Sequence, residues 1–183
     1  LVWVGLFGLT VGSFLNVVIY RLPLNLGLVG GRSMCPHCGM QLKWYHNVPL
    51  LSFIVLRGKC GFCGKPISWR YPIVEVLTAA AFVYFYMYLG FTLAFFVWVL
   101  FISALIAIFF IDLDHQIIPD SITLPGMVFG LAVSFVPGGI GITHSLIGLL
   151  VGGGSLFLIA VLGEHLFKKE AMGMGEIKLA AMF

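Results

Sequence analysis

Apolar residues run almost without interruption through LVWVGLFGLTVGSFLNVVIY at 1–20, and Arg21-Leu22-Pro23 ends the run. Polar and apolar positions then mix freely over 21–72. From Ile73 to Ile111 the chain is apolar again, over a stretch too long for one membrane crossing, which takes about 20 residues. Gly90 is the natural break, giving helices at 73–89 and 91–111. The segment DLDHQIIPD at 112–120 interrupts the hydrophobicity, and a further span follows at 121–136. Pro137-Gly138-Gly139 reads as a turn before another span at 143–163. GEHLFKKEAMGMGEIK is the last polar segment, and a sixth helix begins near Ile177. The pattern predicts an all-α, polytopic transmembrane bundle. Its parts are a first helix at 1–20, a polar loop at 21–72 and a helical bundle at 73–183.

Composition agrees: 61% of the 183 residues are hydrophobic and 9% charged, against about a quarter charged in soluble domains. The first run lacks a basic leader and a small-residue cleavage site, so it reads as a retained helix and not a signal peptide. Leu1 and the short run ending at Phe183 give both ends the look of a cut. The net charge of +3 gives no reason to expect nucleic acid as a partner; its distribution says more. Seven of the ten basic residues fall between Arg21 and Arg70, and the others are Lys168, Lys169 and Lys178. Four predicted spans separate the two clusters, so both face one side, and the bias of Lys and Arg makes that side cytoplasmic. The same count puts 112–120 there too. G-x-x-x-G occurs at 8/12, 126/130 and 148/152, a spacing that lets helices approach closely. The sequence shows no internal repeat and no low-complexity linker.

The polar loop holds all four cysteines, as CPHCG at 35–39 and CGFCG at 60–64. Two C-x-x-C turns, each closed by glycine, suit a four-thiolate site at Cys35, Cys38, Cys60 and Cys63. The softness of the ligands and the closed geometry select zinc. Two disulfides or an iron–sulfur cluster are the alternatives, and disulfides would need an oxidising compartment. A closed site leaves no position for substrate, so its role is structural. His37 and His46 read as solvent-facing.

Acids are few: Glu75, Asp112, Asp114, Asp120, Glu164, Glu170 and Glu176. Asp112 follows the apolar run LFISALIAIFFI directly, and Glu176 lies at the mouth of the last helix, on the same side. Two carboxylates at similar depth, if they converge, cannot both ionise easily. One then deprotonates water while the other protonates a leaving group, which is aspartic-protease chemistry. The plainer reading makes each an interfacial acid. Asp114, His115 and Asp120 read as loop polars, Asp120 with the option of capping the next helix. Glu75 would be buried, with Arg70 as its expected neutralising partner.

Several stretches in order resemble a known family: GSFLNVVIYRLP at 12–23, the paired C-x-x-C loop, WYHNVPLLSF at 44–53, SWRYPIVE at 68–75, FIDLDHQIIPD at 110–120 and EAMGMGEIKLAAM at 170–182. They resemble the type IV prepilin peptidases, leader peptidase/N-methyltransferases of the bacterial inner membrane. The resemblance implies an intramembrane aspartic protease that cuts the basic leader from prepilins or pseudopilins after a glycine. It also implies methylation of the new N-terminus with S-adenosylmethionine. Residue by residue, the first catalytic aspartate matches Asp112, and the second, in the family's G-x-G-D motif, falls on Glu176. Glutamate moves the carboxylate by about 1 Å or more, whereas sites hold their geometry to about 0.5 Å. The family continues with further helices beyond this motif. A proteolysis-deficient variant, a membrane assembly factor of a pilus or secretion system, and a small proton-coupled transporter are the rival readings. The basic loop suits anionic lipid headgroups. The methyl donor rests on the resemblance alone, because no glycine-rich nucleotide signature is present.

Overall fold

The computed structural model describes residues 1–28, 33–136, 141–167 and 173–182. Among them every regular element is helical. These are α1 (Val2–Arg21), a short α2 (Leu51–Val55) after a 3-10 turn at Trp44–Asn47, α3 (Arg70–Leu89), α4 (Leu93–His115), α5 (Asp120–Val133), α6 (Ile142–Phe167) and α7 (Met174–Met182). The predicted break at Gly90 is present: its φ is +61°, and its N–H closes α3 on the Tyr86 carbonyl. Four helices, α1, α3, α4 and α6, are long and apolar enough to cross a membrane. α5 is shorter than the expected 121–136 span. Its 14 residues extend about 21 Å at the α-helical rise, against a hydrocarbon core of about 30 Å.

A second difference lies in α4, expected to end at Ile111. The helix continues to His115, and Gln116, at φ +54°, ends it with its N–H on the Asp112 carbonyl at 2.8 Å. Asp112, Asp114 and His115 are therefore helical and not loop residues. Backbone hydrogen bonding carries the helix one turn past the point where hydropathy falls, because a polar last turn is free to emerge from the apolar layer.

The chain divides into two compact units, Leu1–Ile111 and Asp112–Phe183. In the first, α1 lies along α3 through glycines. A Cβ on Gly8 would stand 2.7 Å from the Ala79 Cα, and one on Gly12 would stand 2.6 Å from the Glu75 Cα. Any larger side chain would force the helices apart. Val4, Phe82, Phe95 and Val99 form the core beside this seam. Along α4 the buried positions Phe95, Val99, Ser103, Ala107 and Ile111 recur every fourth residue, a single stripe facing its neighbours.

In the second unit, α7 packs on both α5 and α6. Gly126 of α5 accommodates Met182, and Gly152 and Gly153 of α6 seat the backbone at Ala180 and Ala181. The G-x-x-x-G spacings thus divide in use. The 8/12 pair forms a helix seam, whereas Gly130 and Gly148 meet nothing within 4 Å. The glycines that matter in α6 are adjacent, at 152 and 153.

Candidate functional site

The four cysteines come together. Their sulfurs all lie within 4.8 Å of one another, with Cys35 Sγ and Cys63 Sγ 4.0 Å apart. A tetrahedral zinc–thiolate centre, with bonds of about 2.3 Å, separates its sulfurs by about 3.8 Å. A disulfide needs about 2.05 Å, and all four thiols are free. The donor set and its spacing fit a metal ion such as zinc.

Two copies of one backbone device build this cluster, offset by 25 positions. Cys35 N–H donates to the Met40 carbonyl at 3.0 Å, and Cys60 N–H to that of Lys65 at 2.8 Å. Gly39 and Gly64 each donate back to the first cysteine's carbonyl at 2.9 Å, with φ of +68° and +69°. Leu42 and Ile67 close the two hairpins, on Ser33 and Gly58, each at 2.7 Å. A side chain would be strained at either glycine, so only glycine ends these turns without cost. Cys35 and Cys60 are buried, whereas Cys38 and Cys63 are exposed. The repeat is one of backbone geometry; in sequence only the cysteines and glycines carry it.

The turns point amide hydrogens at sulfur. N–H groups of Cys63 and Phe62 lower the Cys60 thiol to about 7. At Cys38 the Met40 N–H acts in the same direction, but desolvation and the neighbouring Cys35 and Cys63 sulfurs outweigh it and raise the thiol to about 11. Four sulfurs this close do not all ionise without a cation among them. His37 is exposed, as expected. His46 is not solvent-facing: its ring packs edge-on against Phe62 and Tyr45, and its Nδ1 is buried. It stands beside Gly61, where a Cβ would meet the imidazole at 3.2 Å. His46 therefore buttresses the second turn.

The loop is fixed to the helices by Glu75. Its Oε2 accepts the Leu50 backbone N–H at 2.8 Å, and the Ser13 hydroxyl also reaches the carboxylate. Leu50 has φ +57°, an uncommon conformation for a branched residue. A backbone amide and a hydroxyl thus satisfy this buried acid. Nearby, buried Asn16 donates to the carbonyls of Gly12 and Tyr71, joining α1 to α3.

Asp112 is exposed on the last turn of α4, and Glu176 is exposed on the first turn of α7. Among the described residues neither carboxylate is ion-paired. The segment after Asp112 and the glycine motif before Glu176 are brought together. A Cβ on Gly175 would stand 2.9 Å from Ile118 Cβ, so only glycine permits this approach. Asp120 does not cap α5, whose N-cap is Pro119. Its carboxylate instead takes Lys178 Nζ at 2.8 and 2.7 Å. No pattern in the sequence pointed to that pairing. Residues 168–172, which include Glu170, lie outside the described residues.

Residues 6–89 match the model of the bacterial peptidase A24 N-terminal domain, and residues 99–183 match that of the type IV leader peptidase family. A prepilin leader peptidase/N-methyltransferase of Dichelobacter nodosus is 38% identical over 98% of the chain and 72% of its own length. This chain belongs to the type IV prepilin leader peptidase/N-methyltransferase family. A relative of that name from Myxococcus xanthus is 45% identical over 99% of the chain, which spans 54% of that protein. One from Legionella pneumophila is 38% identical over 98% of the chain and 71% of its own length. No solved structure matches the chain.

Proposed function

We propose that the complete protein is an aspartic endopeptidase of the bacterial inner membrane. Its substrates are type IV prepilins or pseudopilins, from which it cuts the leader before methylating the new N-terminus. The observation that carries this reading is the near end-to-end similarity to relatives named for both activities. Asp112 and Glu176 are the catalytic pair. One carboxylate takes a proton from water as it attacks the scissile carbonyl, and the other protonates the departing amine. Each stands at a helix end, one turn from apolar sequence. That suits a substrate whose stem is an apolar helix and whose scissile bond lies at the membrane surface. Purified complete protein in lipid is expected to shorten a model prepilin by its leader. An assembly factor or a transporter would leave the substrate intact.

Zinc is the proposed occupant of the cysteine cluster, held by Cys35, Cys38, Cys60 and Cys63, where it supplies a cross-link and no reaction chemistry. S-adenosylmethionine is the proposed methyl donor, on the strength of the relatives' names. The aromatic cleft among Tyr84, Phe85, Tyr88, Leu89 and Trp98, about 210 Å³, carries no acid or amide and does not fit its charged amino-acid end.

The cysteine loop, residues 112–120 and residues 164–176 are proposed to share the cytoplasmic side, where the basic loop meets anionic headgroups. This requires the α5 segment to cross. Helix α5 alone is short, and apolar residues extend the segment only to Val136, so a crossing over 121–136 takes a locally thinned bilayer. In a cysteine-free background, a cysteine at position 115 should resist a membrane-impermeant maleimide added from outside. Labelling there, with position 43 protected, would overturn the arrangement.

A further inference from the structure

We infer that Asp120 and Lys178 are positioning residues that set the rotation of α7 about its axis and thereby aim the Glu176 carboxylate. The inference rests on the proposed Asp112–Glu176 pair and extends it to the groups that orient one member.

Successive residues on an α-helix are turned by about 100°. On that wheel Gly175, Lys178 and Met182 fall on one side of α7, and each meets α5 or the segment leading into it. Gly175 abuts Ile118, Lys178 bonds both oxygens of Asp120, and Met182 sits on Gly126. Ile177, Ala180 and Ala181 fall on a second side, against Gly152 and Gly153 of α6. Glu176 projects from the remaining side, which neither α5 nor α6 covers, and it is exposed there. Its direction is thus determined by how α7 is turned between its two neighbours.

Three contacts hold the α5 side. Two are van der Waals seats on small or apolar groups, which hold the helices close without fixing a bond direction. The Lys178–Asp120 contact is directional, with Nζ 2.8 and 2.7 Å from the two carboxylate oxygens. It lies within one turn of Glu176. Both side chains are partly exposed, and an ion pair in that setting contributes little to stability. Its removal is therefore expected to leave the fold standing while releasing the rotation of the first turns of α7. An error of about 1 Å in a reacting group is enough to lower a rate about a hundredfold.

The test uses the complete protein in lipid and a model prepilin, in both the Glu176 form and a Glu176→Asp background. Lys178→Met and Asp120→Asn are each expected to lower kcat about tenfold or more with KM within about twofold, as loss of alignment does. The double variant should be no worse than either single. The exchange Asp120→Lys with Lys178→Asp should recover most of the rate, because the pair is re-formed with its charges reversed. Thermal unfolding midpoints should stay near those of the parent. If Asp112→Asn abolishes cleavage but Lys178→Met leaves kcat within about twofold, the clamp is refuted and the catalytic pair stands. The clamp is likewise refuted if Lys178→Met acts only by unfolding the protein. If cleavage survives Asp112→Asn, or neither background cleaves, the catalytic pair itself is refuted and the clamp with it.

Discussion

Asp112→Asn is expected to abolish prepilin cleavage, whichever acid occupies position 176. An amide neither accepts a proton from water nor passes one to the leaving amine, so the cycle stops at its first step. Glu176→Asp is expected to act in the opposite direction and raise cleavage by about tenfold or more, equivalent to about 1.4 kcal/mol of barrier. The cause is geometric. The Gly175–Ile118 approach and the Lys178–Asp120 pair anchor the start of α7, so the backbone has little freedom to retreat and absorb an extra methylene. Because two carboxylates acting as one unit fail together, adding Asp112→Asn to Glu176→Asp should return the rate to background. Initial rates of leader release, compared at saturating substrate, check all three outcomes. Equal, high activity with either acid at 176 would show that the site accepts the longer arm.

Loss of the metal centre should be the most damaging change outside that pair. Metal analysis of reduced protein should find about one zinc per chain, by the ligand count. Cys60→Ser should remove most of it. In small metal-folded domains, metal binding of this kind amounts to about 10–16 kcal/mol of apparent free energy. Among the described residues of the loop, no helix longer than the five residues of α2 is present to replace it. Limited trypsin digestion should then cut faster at Arg57, Lys59 and Lys65, which are exposed but held in or beside the second hairpin, while far-ultraviolet helicity changes little. Unchanged proteolysis after complete metal removal would show that the loop folds by other means. Disulfide-bonded cysteines in protein isolated from the cytoplasmic face would exclude the thiolate centre altogether.

Four helices long and apolar enough to cross were legible in the sequence because membrane insertion leaves its requirement in run length, whereas α5 falls short of its expected span. Gly90 could be placed because a helix stop favours a residue tolerant of positive φ. The clustering of the four cysteines was legible because each turn keeps its pair three positions apart. What escaped was whatever depends on contacts distant along the chain or on the backbone. Asp120 and Lys178 are 58 residues apart. The partner of Glu75 is a main-chain N–H and a hydroxyl, neither of which marks the sequence as a nearby arginine does. The doubled hairpin was hidden because hydrogen bonds repeat where side chains do not. His46 was misread because its burial comes from Phe62, across the hairpin. The end of α4 was misplaced because hydropathy reports where lipid stops, and a helix need not stop there.

The tie between Glu75 and Leu50 also settles the mechanics of the cysteine module. A folded loop joined only through its two chain ends would swing as a flag on two ropes. Here a third support reaches the module between its two hairpins and stands on α3 itself, so it rests as a tripod. A tripod resists rocking, so the position of the cysteine cluster is tied to that of α3. Truncating that one buried carboxylate would return the module to two supports without touching a single cysteine.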